Sequence, residues 1–270
     1  DDDRHLATLL RECNSDRIHQ MRPLVLLCSA LAASCCSALA AANSTPGKLQ
    51  LKYFNARGAA ETARILLVLG NEEWDDSRFE LTPGKMESPD FEAAKASGEL
   101  RANLNRAPVL VTPDGAVVGQ SKAMERFLAR RFGLMGTNDV EEAVVDCVSE
   151  HCRDVRDAQM RKGFSMFNKD KTEEEKETLR KEWFESDMPT LLGKIDDAVK
   201  ESGSPGFSVG SSTSLADVSI WSMLRDCYAP YAEETAKAAE NCDALNAIAD
   251  KIASDPRVGK WLEERPETAF

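Results

Sequence analysis

The sequence predicts an α/β half followed by an all-helical half. Short apolar and alternating runs, which are typical of strands, occur between Lys48 and Val118 and are separated by amphipathic segments. Downstream of Gly136 the apolar residues recur with the period of helices. A chain of 270 residues is long enough to bury a core in each half. We therefore expect an α/β domain over residues 45–133 and an all-α domain over residues 137–270.

The α/β half opens with a strand, a tight turn and a helix. The alternating run Lys48–Phe54 predicts the strand, and Asn55–Gly58 separates it from the amphipathic segment Ala59–Gly70. Tyr53 therefore lies at the carboxyl end of a strand and beside a helix N-terminus. Open α/β sheets bind their ligands at such places, so we expect this phenol to face a ligand.

The remaining segments of this half complete a compact α/β pattern. A Pro-Asp-Gly turn predicts a hairpin, and Pro108 can open the hairpin's first strand because its missing N–H is tolerated there. The order strand–helix–strand, then strand–strand–helix, predicts a thioredoxin-like domain. The predicted segments are the strand Trp74–Leu81, the short helix Asp90–Ala96, the hairpin strands Pro108–Thr112 and Ala116–Val118, and the helix Gln120–Phe132.

The second half contains only helical patterns. Ser214 followed three residues later by Asp217 is similar to a capping box, which we interpret as structural. The predicted helices are Val140–Met160, Thr172–Ser202, Val218–Tyr228, Asp243–Ser254 and Val258–Glu264.

The first 44 residues form an extension of different composition. One positive charge at Arg22, an apolar run over residues 24–40 and the small residues Ala38 and Ala40 are typical of a cleavable targeting signal. The run is short and rich in Ser, Ala and Cys, so we expect no stable membrane span in the mature chain. The mature chain would begin near Ala41, in the secretory pathway or an organelle; a cytoplasmic location is the alternative. Met21 is the first methionine and a second candidate start of translation.

Charge and cysteine content exclude several classes of function. The formal net charge of −12 argues against nucleic acid as a partner. No cysteine lies between Cys36 and Cys147, so the α/β half cannot carry out thiol–disulfide exchange. Cys147 and His151 would share a helix face while Cys152 would be turned away, so we expect no metal site. With His151 as the only histidine after the extension, a histidine-based triad is not expected.

Two motifs carry a resemblance to a known family. Tyr53-Phe-x-x-Arg-Gly-x-x-Glu61 precedes an apolar helix, and a Pro-Val-Leu hairpin beginning at Pro108 leads into Gln120-Ser121. Together, ahead of an all-helical half, they resemble the glutathione transferases, most closely the tyrosine-using, sigma-like class. The resemblance covers roughly residues 48–266. It implies a homodimeric enzyme that uses glutathione as co-substrate, needs no metal and conjugates it to small hydrophobic electrophiles.

The resemblance gives Tyr53 the catalytic role. A thiol has a pKa of about 8.5, and lowering it by two units requires about 2.7 kcal/mol of preferential thiolate stabilisation. A hydrogen bond to a charged group contributes about 1.5–3 kcal/mol, so one phenol can supply most of this. Tyr53 is the only tyrosine in the amino half, and its phenol need not ionise for this role.

The resemblance also implies residues that hold glutathione. A cis bond between Ala107 and Pro108 would leave the Ala107 main chain free to pair with the cysteinyl part, as a missing strand would. Gln120 and Ser121 open a helix whose free N–H groups suit the γ-glutamyl carboxylate. By alignment, Asp154 would reach the γ-glutamyl ammonium from the second subunit.

The glycyl end of the implied site departs from the family pattern. Lys95 and Arg106 are the cations expected to bind the glycyl carboxylate, but Phe91 stands where the family has tryptophan. Arg106 follows Asn105 rather than glycine, and the stretch from Phe91 to Pro108 is about four residues longer.

Two alternatives to conjugation stay open. One is a glutathione-dependent isomerase of the prostaglandin-synthase type, and the other is a non-catalytic binding or scaffold protein with the same fold. The retained Tyr53, Gln120 and Ser121 favour catalysis, whereas the altered glycyl end favours the non-catalytic protein. The electrophile pocket would be formed by residues after Phe54 and by the long helices.

Overall fold

The computed structural model describes residues 47–268 except residues 83, 84, 86, 166 and 167. The predicted targeting signal and the rest of the extension over residues 1–44 lie outside the described residues. The chain from Lys48 onward forms one compact unit. The predicted boundary between an α/β domain and an all-α domain at residues 133–137 stays a prediction. Within the described part of the chain, no helix has the length and apolar character needed to cross a membrane.

The amino half contains a mixed four-stranded sheet. Its strand order is β2-β1-β3-β4, with β1 parallel to β2 and antiparallel to β3. Side chains alternate along a strand, so Tyr53 continues the face that buries Leu49 and Leu51 in the core. The strands are β1 (Leu49–Phe54), β2 (Trp74–Phe79), β3 (Val109–Val111) and β4 (Val117–Gly119).

Helices flank this sheet in the predicted order, which confirms the α/β fold class. One difference lies after β1, where a 3₁₀ turn, Gly58–Ala60, precedes the helix that the sequence predicts from Ala59. The helices are α1 (Glu61–Gly70), α2 (Pro89–Ser97) and α3 (Ser121–Arg131), and a second 3₁₀ turn spans Arg101–Asn103. The second predicted strand ends at Phe79, two residues earlier than expected.

The second half is all-helical, as predicted, and shares a hydrophobic core with the sheet. Buried side chains run continuously from β1 and α1 into the helices of this half. Ala232–Ala238 is a helix that the sequence did not predict, because it lacks a periodic apolar face. The helices are α4 (Asp139–Lys162), α5 (Glu173–Glu182), α6 (Met188–Ser202), α7 (Leu215–Trp221), α8 (Ala232–Ala238), α9 (Asp243–Ala253) and α10 (Pro256–Glu264).

Two predicted long helices contain π turns. The turn Trp183–Asp187 separates α5 from α6, and the N–H of Met188 donates to the carbonyl of Trp183, five residues back. Pro189 follows directly and has no N–H to offer a regular helical bond, which gives this wider turn a local cause. The turn Ser222–Asp226 extends α7 in the same way, so the predicted helix Val218–Tyr228 is wrong in its geometry.

The capping box before α7 is present as predicted. The Asp217 carboxylate accepts hydrogen bonds from the N–H of Ser214 at 2.6 Å and from the N–H of Ser208 at 2.7 Å. Burial raises the pKa of Asp217 despite these hydrogen bonds. Its contacts tie the preceding loop to the start of α7, which is a structural role.

An ionic cluster joins the two halves behind Tyr53. We use this name for Arg57, Glu61, Arg64, Asp226 and Arg265. Arg265 lies 2.8 Å from Glu61 and 3.0 Å from Asp226, while Arg57 lies 3.4 Å from Asp226. The cluster connects the turn after β1 and the start of α1 to the π turn after α7 and to the segment after α10. It therefore fixes the helical half against the strand end that carries Tyr53.

Candidate functional site

Tyr53 is held at the end of β1 by the turn that follows it. Its hydroxyl oxygen accepts a hydrogen bond from the N–H of Ala59 at 3.2 Å. Because that bond occupies the oxygen as an acceptor, the hydroxyl proton stays available to donate to a ligand. Gly58 has a φ of +40°, and a Cβ at this position would lie 2.7 Å from the Tyr53 oxygen. Glycine is thus required by both the backbone conformation and the close approach of the phenol.

The segment before β3 has the predicted main-chain geometry. The bond between Ala107 and Pro108 is cis. Across the described residues, neither the N–H nor the C=O of Ala107 takes an intramolecular hydrogen bond. A main-chain donor and acceptor are therefore available on one residue, which is what an extended peptide ligand requires.

Asn103 supports this segment, and the sequence analysis did not identify it. Its side-chain amide donates to the carbonyls of Arg106 at 3.1 Å and Pro108 at 2.9 Å. Its side-chain oxygen accepts from the N–H of Gln120 at 3.1 Å. Asn103 is only 4% exposed, so a single buried amide connects the cis bond to the start of α3. No sequence pattern marks such a residue, because it lies in an irregular stretch without periodicity.

Gln120 and Ser121 lie at the start of α3, as predicted. Gln120 has a φ of +64°, which is uncommon for a residue other than glycine and frequent at ligand sites. No side chain caps this helix end, and the start of the helix borders a cavity of about 470 Å³. Both residues line that cavity, and free N–H groups at a helix N-terminus suit a carboxylate.

The residues predicted for the glycyl end lie apart from this cavity. Phe91 packs against Phe54 with ring centroids 4.8 Å apart and belongs to a small aromatic cluster. Lys95 pairs with Glu92 at 2.6 Å and lies 5.0 Å from the centre of the Phe91 ring. Arg106 is exposed and donates weakly to the carbonyl of Asn103 at 3.5 Å. The cation of Lys95 is therefore already balanced by a carboxylate of its own helix.

Asp154 is exposed on α4 and does not line the cavity of its own chain. The same helix carries Arg153 and Asp157, which do line it.

The cysteines of α4 lie as helical geometry predicts. The Sγ atom of Cys147 is 3.3 Å from Nε2 of His151 on one face of the helix, while Cys152 is buried. Burial raises the pKa of Cys152 to about 12, which keeps this thiol protonated at neutral pH.

Arg156 is a second functional candidate that sequence analysis missed. It lies on α4, lines the cavity and is partly buried. The pKa of Arg156 is raised chiefly by the nearby Cys227 thiol, with smaller contributions from Tyr228 and Tyr53, and burial opposes these. A guanidinium is therefore within electrostatic reach of the Tyr53 hydroxyl. In sequence it is one more arginine on a charged helix, so no pattern separates it from its neighbours.

Comparison with known proteins shows the class to which this fold and this cavity belong. Residues 158–265 match the family described as glutathione S-transferase, C-terminal domain. The chain is 30% identical to glutathione S-transferase 3 of Caenorhabditis elegans over 221 aligned residues. The alignment covers 82% of this chain and 98% of the relative. It is also similar to a Nu-class glutathione S-transferase from Haemonchus contortus, with a TM-score of 0.69, 30% identity and coverage of 83% and 99% of the two chains.

The chain therefore belongs to the glutathione S-transferase family. A further relative is the haematopoietic prostaglandin D synthase of Gallus gallus, 28% identical over 223 residues and covering 82% of this chain and 98% of that protein. This similarity supports the sigma-like relation that the two sequence motifs indicate.

Proposed function

We propose that this protein is a glutathione transferase that activates the glutathione thiol through the Tyr53 hydroxyl. The observation that carries the proposal is the hydrogen bond of 3.2 Å from the N–H of Ala59 to the Tyr53 oxygen. It orients the phenol and leaves its proton free to donate to sulfur. The same bond places a positive backbone dipole on the oxygen, which makes the hydroxyl a better donor to a thiolate.

In this proposal each part of glutathione has a matching group. The cysteinyl main chain pairs with Ala107, and the γ-glutamyl carboxylate binds at the start of α3, at Gln120 and Ser121. The N–H of Ser121 is the donor there, because the N–H of Gln120 already donates to Asn103. The glycyl carboxylate lies toward Lys95 or Arg106. The paired state of Lys95 makes this end the weakest part of the site, as the departures in the sequence suggest.

Chemistry follows from thiolate stabilisation and proximity. The bound thiolate attacks an electrophilic carbon, a carbon–sulfur bond forms, and the displaced electron pair leaves with the leaving group or moves into the substrate. The cavity of about 470 Å³ beside Ala59 is large enough for a small hydrophobic electrophile. Holding both reactants there replaces a bimolecular encounter with an oriented one.

Isomerisation is the second candidate within the same site. The similarity to a prostaglandin D synthase favours it. The two reactions differ in the fate of glutathione, since conjugation consumes it and isomerisation returns it. Measurement of free thiol before and after turnover separates them. A non-catalytic protein would bind immobilised glutathione and turn over no electrophile.

Replacement of Tyr53 by Phe tests the proposal. Loss of one thiolate hydrogen bond should raise the pKa of bound glutathione by about 1–2 units, equivalent to about 1.4–2.7 kcal/mol. Turnover should fall far more than glutathione binding, because the main-chain contacts remain. The thiol pKa is read from the ultraviolet absorbance of the thiolate in the binary complex as pH is varied.

Tyr231→Phe is the matched control, since it removes a hydroxyl from a tyrosine that packs against Phe164 and Phe184 in the helical half. This variant should leave the pKa of bound glutathione unchanged. If Tyr53→Phe also leaves that pKa unchanged, Tyr53 is not the thiolate donor.

A further inference from the structure

The cavity is lined by Ala59, whose N–H bonds Tyr53, and not by Tyr53 itself; one of the cations that line it has no partner among the described residues. Among the described residues, Arg156 takes part in no hydrogen bond and no ion pair, although it is partly buried. The other cations that line the cavity are each paired with a carboxylate. These pairs are Lys122–Glu125 at 2.7 Å, Arg126–Asp146 at 2.7 Å and Arg153–Glu150 at 2.9 Å.

Two carboxylates that could balance Arg156 are each placed on another cation: Asp157 lies 4.0 Å from Arg153, and Glu125 pairs with Lys122. Glu125 lies within electrostatic reach of Arg156, but its oxygen is 2.7 Å from Lys122. Glu125 is also 2% exposed, and burial raises its pKa, which disfavours its charged form. Arg156 thus lines the cavity without a hydrogen-bond or ion-pair partner among the described residues.

Tyr228 supplies a second donor without a partner in the same cavity. It is 6% exposed, and its hydroxyl is buried without a hydrogen bond in the described structure. Burial also raises the pKa of Tyr228, so the hydroxyl keeps its proton. A buried hydroxyl is normally hydrogen-bonded, so an unsatisfied one on a residue that lines a cavity is a candidate to bond a ligand bound there.

The two groups together define the chemistry of that ligand. A guanidinium offers only donors, in a fork that fits a carboxylate, and the phenol offers one more. The wall of the cavity also has apolar residues, including Met223, Met160 and Ala59. On the basis of the proposed transferase activity, we propose that the second substrate is an apolar electrophile with a carboxylate, which Arg156 and Tyr228 bind.

The carboxylate proposed for the electrophile binds at a different place from the carboxylates of glutathione. The γ-glutamyl carboxylate is assigned to the N-terminus of α3, whereas Arg156 and Tyr228 belong to α4 and to the segment after the π turn of α7. Arg156 lines the same cavity as Ala59, whose N–H bonds the Tyr53 hydroxyl, so its ligand would occupy the cavity next to the proposed thiolate position. An anion there would be the part of the electrophile that orients the reacting carbon.

A matched pair of electrophiles tests the assignment. Benzylideneacetone and its para-carboxylate have the same reacting enone, and each rate is divided by its uncatalysed rate with glutathione. The wild-type protein should favour the carboxylate by at least about tenfold in kcat/KM, as expected for a shielded charge-assisted hydrogen bond. Arg156→Met should abolish this preference, so that the two normalised values of kcat/KM become equal within about twofold.

Further variants separate a specific contact from the general charge of the cavity. Arg153→Met removes a cation that already has a carboxylate partner, so the preference should stay. Arg156→Lys should retain part of the preference, because the charge remains and the fork is lost. Tyr228→Phe should reduce the preference while leaving the midpoint of thermal unfolding unchanged or higher, since it removes an unsatisfied buried hydroxyl.

The possible outcomes have distinct meanings. If wild-type protein turns over neither electrophile, the proposed transferase function fails. If it turns over both without preference, the carboxylate site is overturned and the transferase function stands. If Arg156→Met raises the KM for glutathione and keeps the preference, Arg156 belongs to the glutathione site, which also overturns the proposal.

Discussion

Glu61 shows at the residue scale how much one buried carboxylate holds together. It is 1% exposed and accepts hydrogen bonds from Arg64 at 3.1 Å, Trp261 at 2.9 Å and Arg265 at 2.8 Å. Glu61→Gln would remove the carboxylate that Arg64 and Arg265 share, leaving Arg64 with Asp76 at 3.2 Å and Arg265 with Asp226 at 3.0 Å. We expect a loss of roughly 3 kcal/mol in the free energy of unfolding. Urea denaturation followed by circular dichroism measures this.

The control for this variant is Glu72→Gln. Glu72 forms an exposed pair with Arg131 at 2.7 Å, and such pairs contribute about 0–1 kcal/mol. Equal losses in the two variants would contradict the assignment of a special role to Glu61.

Glu61 also determines how the free energy of unfolding changes at acid pH. Burial alone would raise the pKa of Glu61, but hydrogen bonds from Trp261 and Arg265, with the charge of Arg64, bring it below its usual 4.5. A lowered folded pKa gives stability that is present above pH 4.5 and lost as pH falls through the folded pKa. The wild-type protein should therefore lose more stability than Glu61→Gln between about pH 4.5 and 3.

Asp226 acts in the opposite sense within the ionic cluster. Burial raises its pKa, the charge of Glu61 raises it further, and Arg265 and Arg57 oppose this. A raised folded pKa makes its ionised form unfavourable at neutral pH, and that cost is relieved as pH falls through the folded pKa. Asp226 therefore offsets part of the stability that the wild-type protein loses through Glu61 at acid pH.

The site residues differ in how far the sequence could predict them. The position of Tyr53 follows from local rules, because a strand end, a turn and a helix start are all visible in the sequence. Asn103 and Arg156 become distinguishable only in the folded structure: a buried amide with three partners, and a guanidinium with no partner in the part of the chain that the structure describes. Neither property is encoded in a local pattern, so both required the structure.

At the element scale, two glycines make contrasting predictions. Gly193 lies inside α6, and an added Cβ would meet no atom within 4 Å. Gly193→Ala should raise the free energy of unfolding by about 0.5–1 kcal/mol, since alanine has the higher helix propensity. Gly115 has a φ of +84° in the β3–β4 turn, also with nothing within 4 Å, so Gly115→Ala should cost about 1–2 kcal/mol through the backbone alone.

Chemical denaturation of both variants checks these values against the wild type. A destabilising Gly193→Ala would mean that α6 contacts something beyond the described residues, such as a second chain. The two glycines have the same empty surroundings, so the difference between the variants isolates backbone conformation.

The element boundaries explain where sequence patterns succeed and fail. The hairpin was predictable because Pro113 and Gly115 fix its turn. The π turns were not, since an apolar pattern with helical period does not record whether a bond spans four residues or five. Pro189 was the one visible signal, and it marks the turn that ends just before it.

At the scale of the whole molecule, the architecture was predictable because the hydrophobic pattern changes along the chain from the period of strands to the period of helices. Strand patterns up to Val118 and helical patterns after Gly136 predicted the two halves and their order. The sequence did not predict that one core would run through both halves, or that buried charges would join them at Arg265. These features depend on residues about 200 positions apart, such as Glu61 and Arg265, whose contact no local pattern records.

Assembly gives the last prediction at this scale. We propose that the protein is a homodimer in which Asp154 of each chain completes the partner's glutathione site. Asp154 is exposed and lines no part of its own cavity. A group acting across a two-fold interface makes every complete site depend on two chains. Asp154→Ala should weaken glutathione binding by roughly 1.5–3 kcal/mol if the contact is shielded from water, and less if it is exposed.

Mixed dimers of Tyr53→Phe and Asp154→Ala chains give the sharper test. Each mixed dimer has one site with both defects and one with neither, so activity should return on mixing. Random exchange of equal amounts makes about a quarter of all sites intact. The measurement is kcat/KM for glutathione, because Asp154→Ala acts on binding. If subunit exchange is demonstrated and no activity returns, Asp154 does not act across an interface. An active monomer in sedimentation would remove the shared site altogether, and the γ-glutamyl ammonium would then need a carboxylate from its own chain, for which Asp157 in the cavity wall is the candidate.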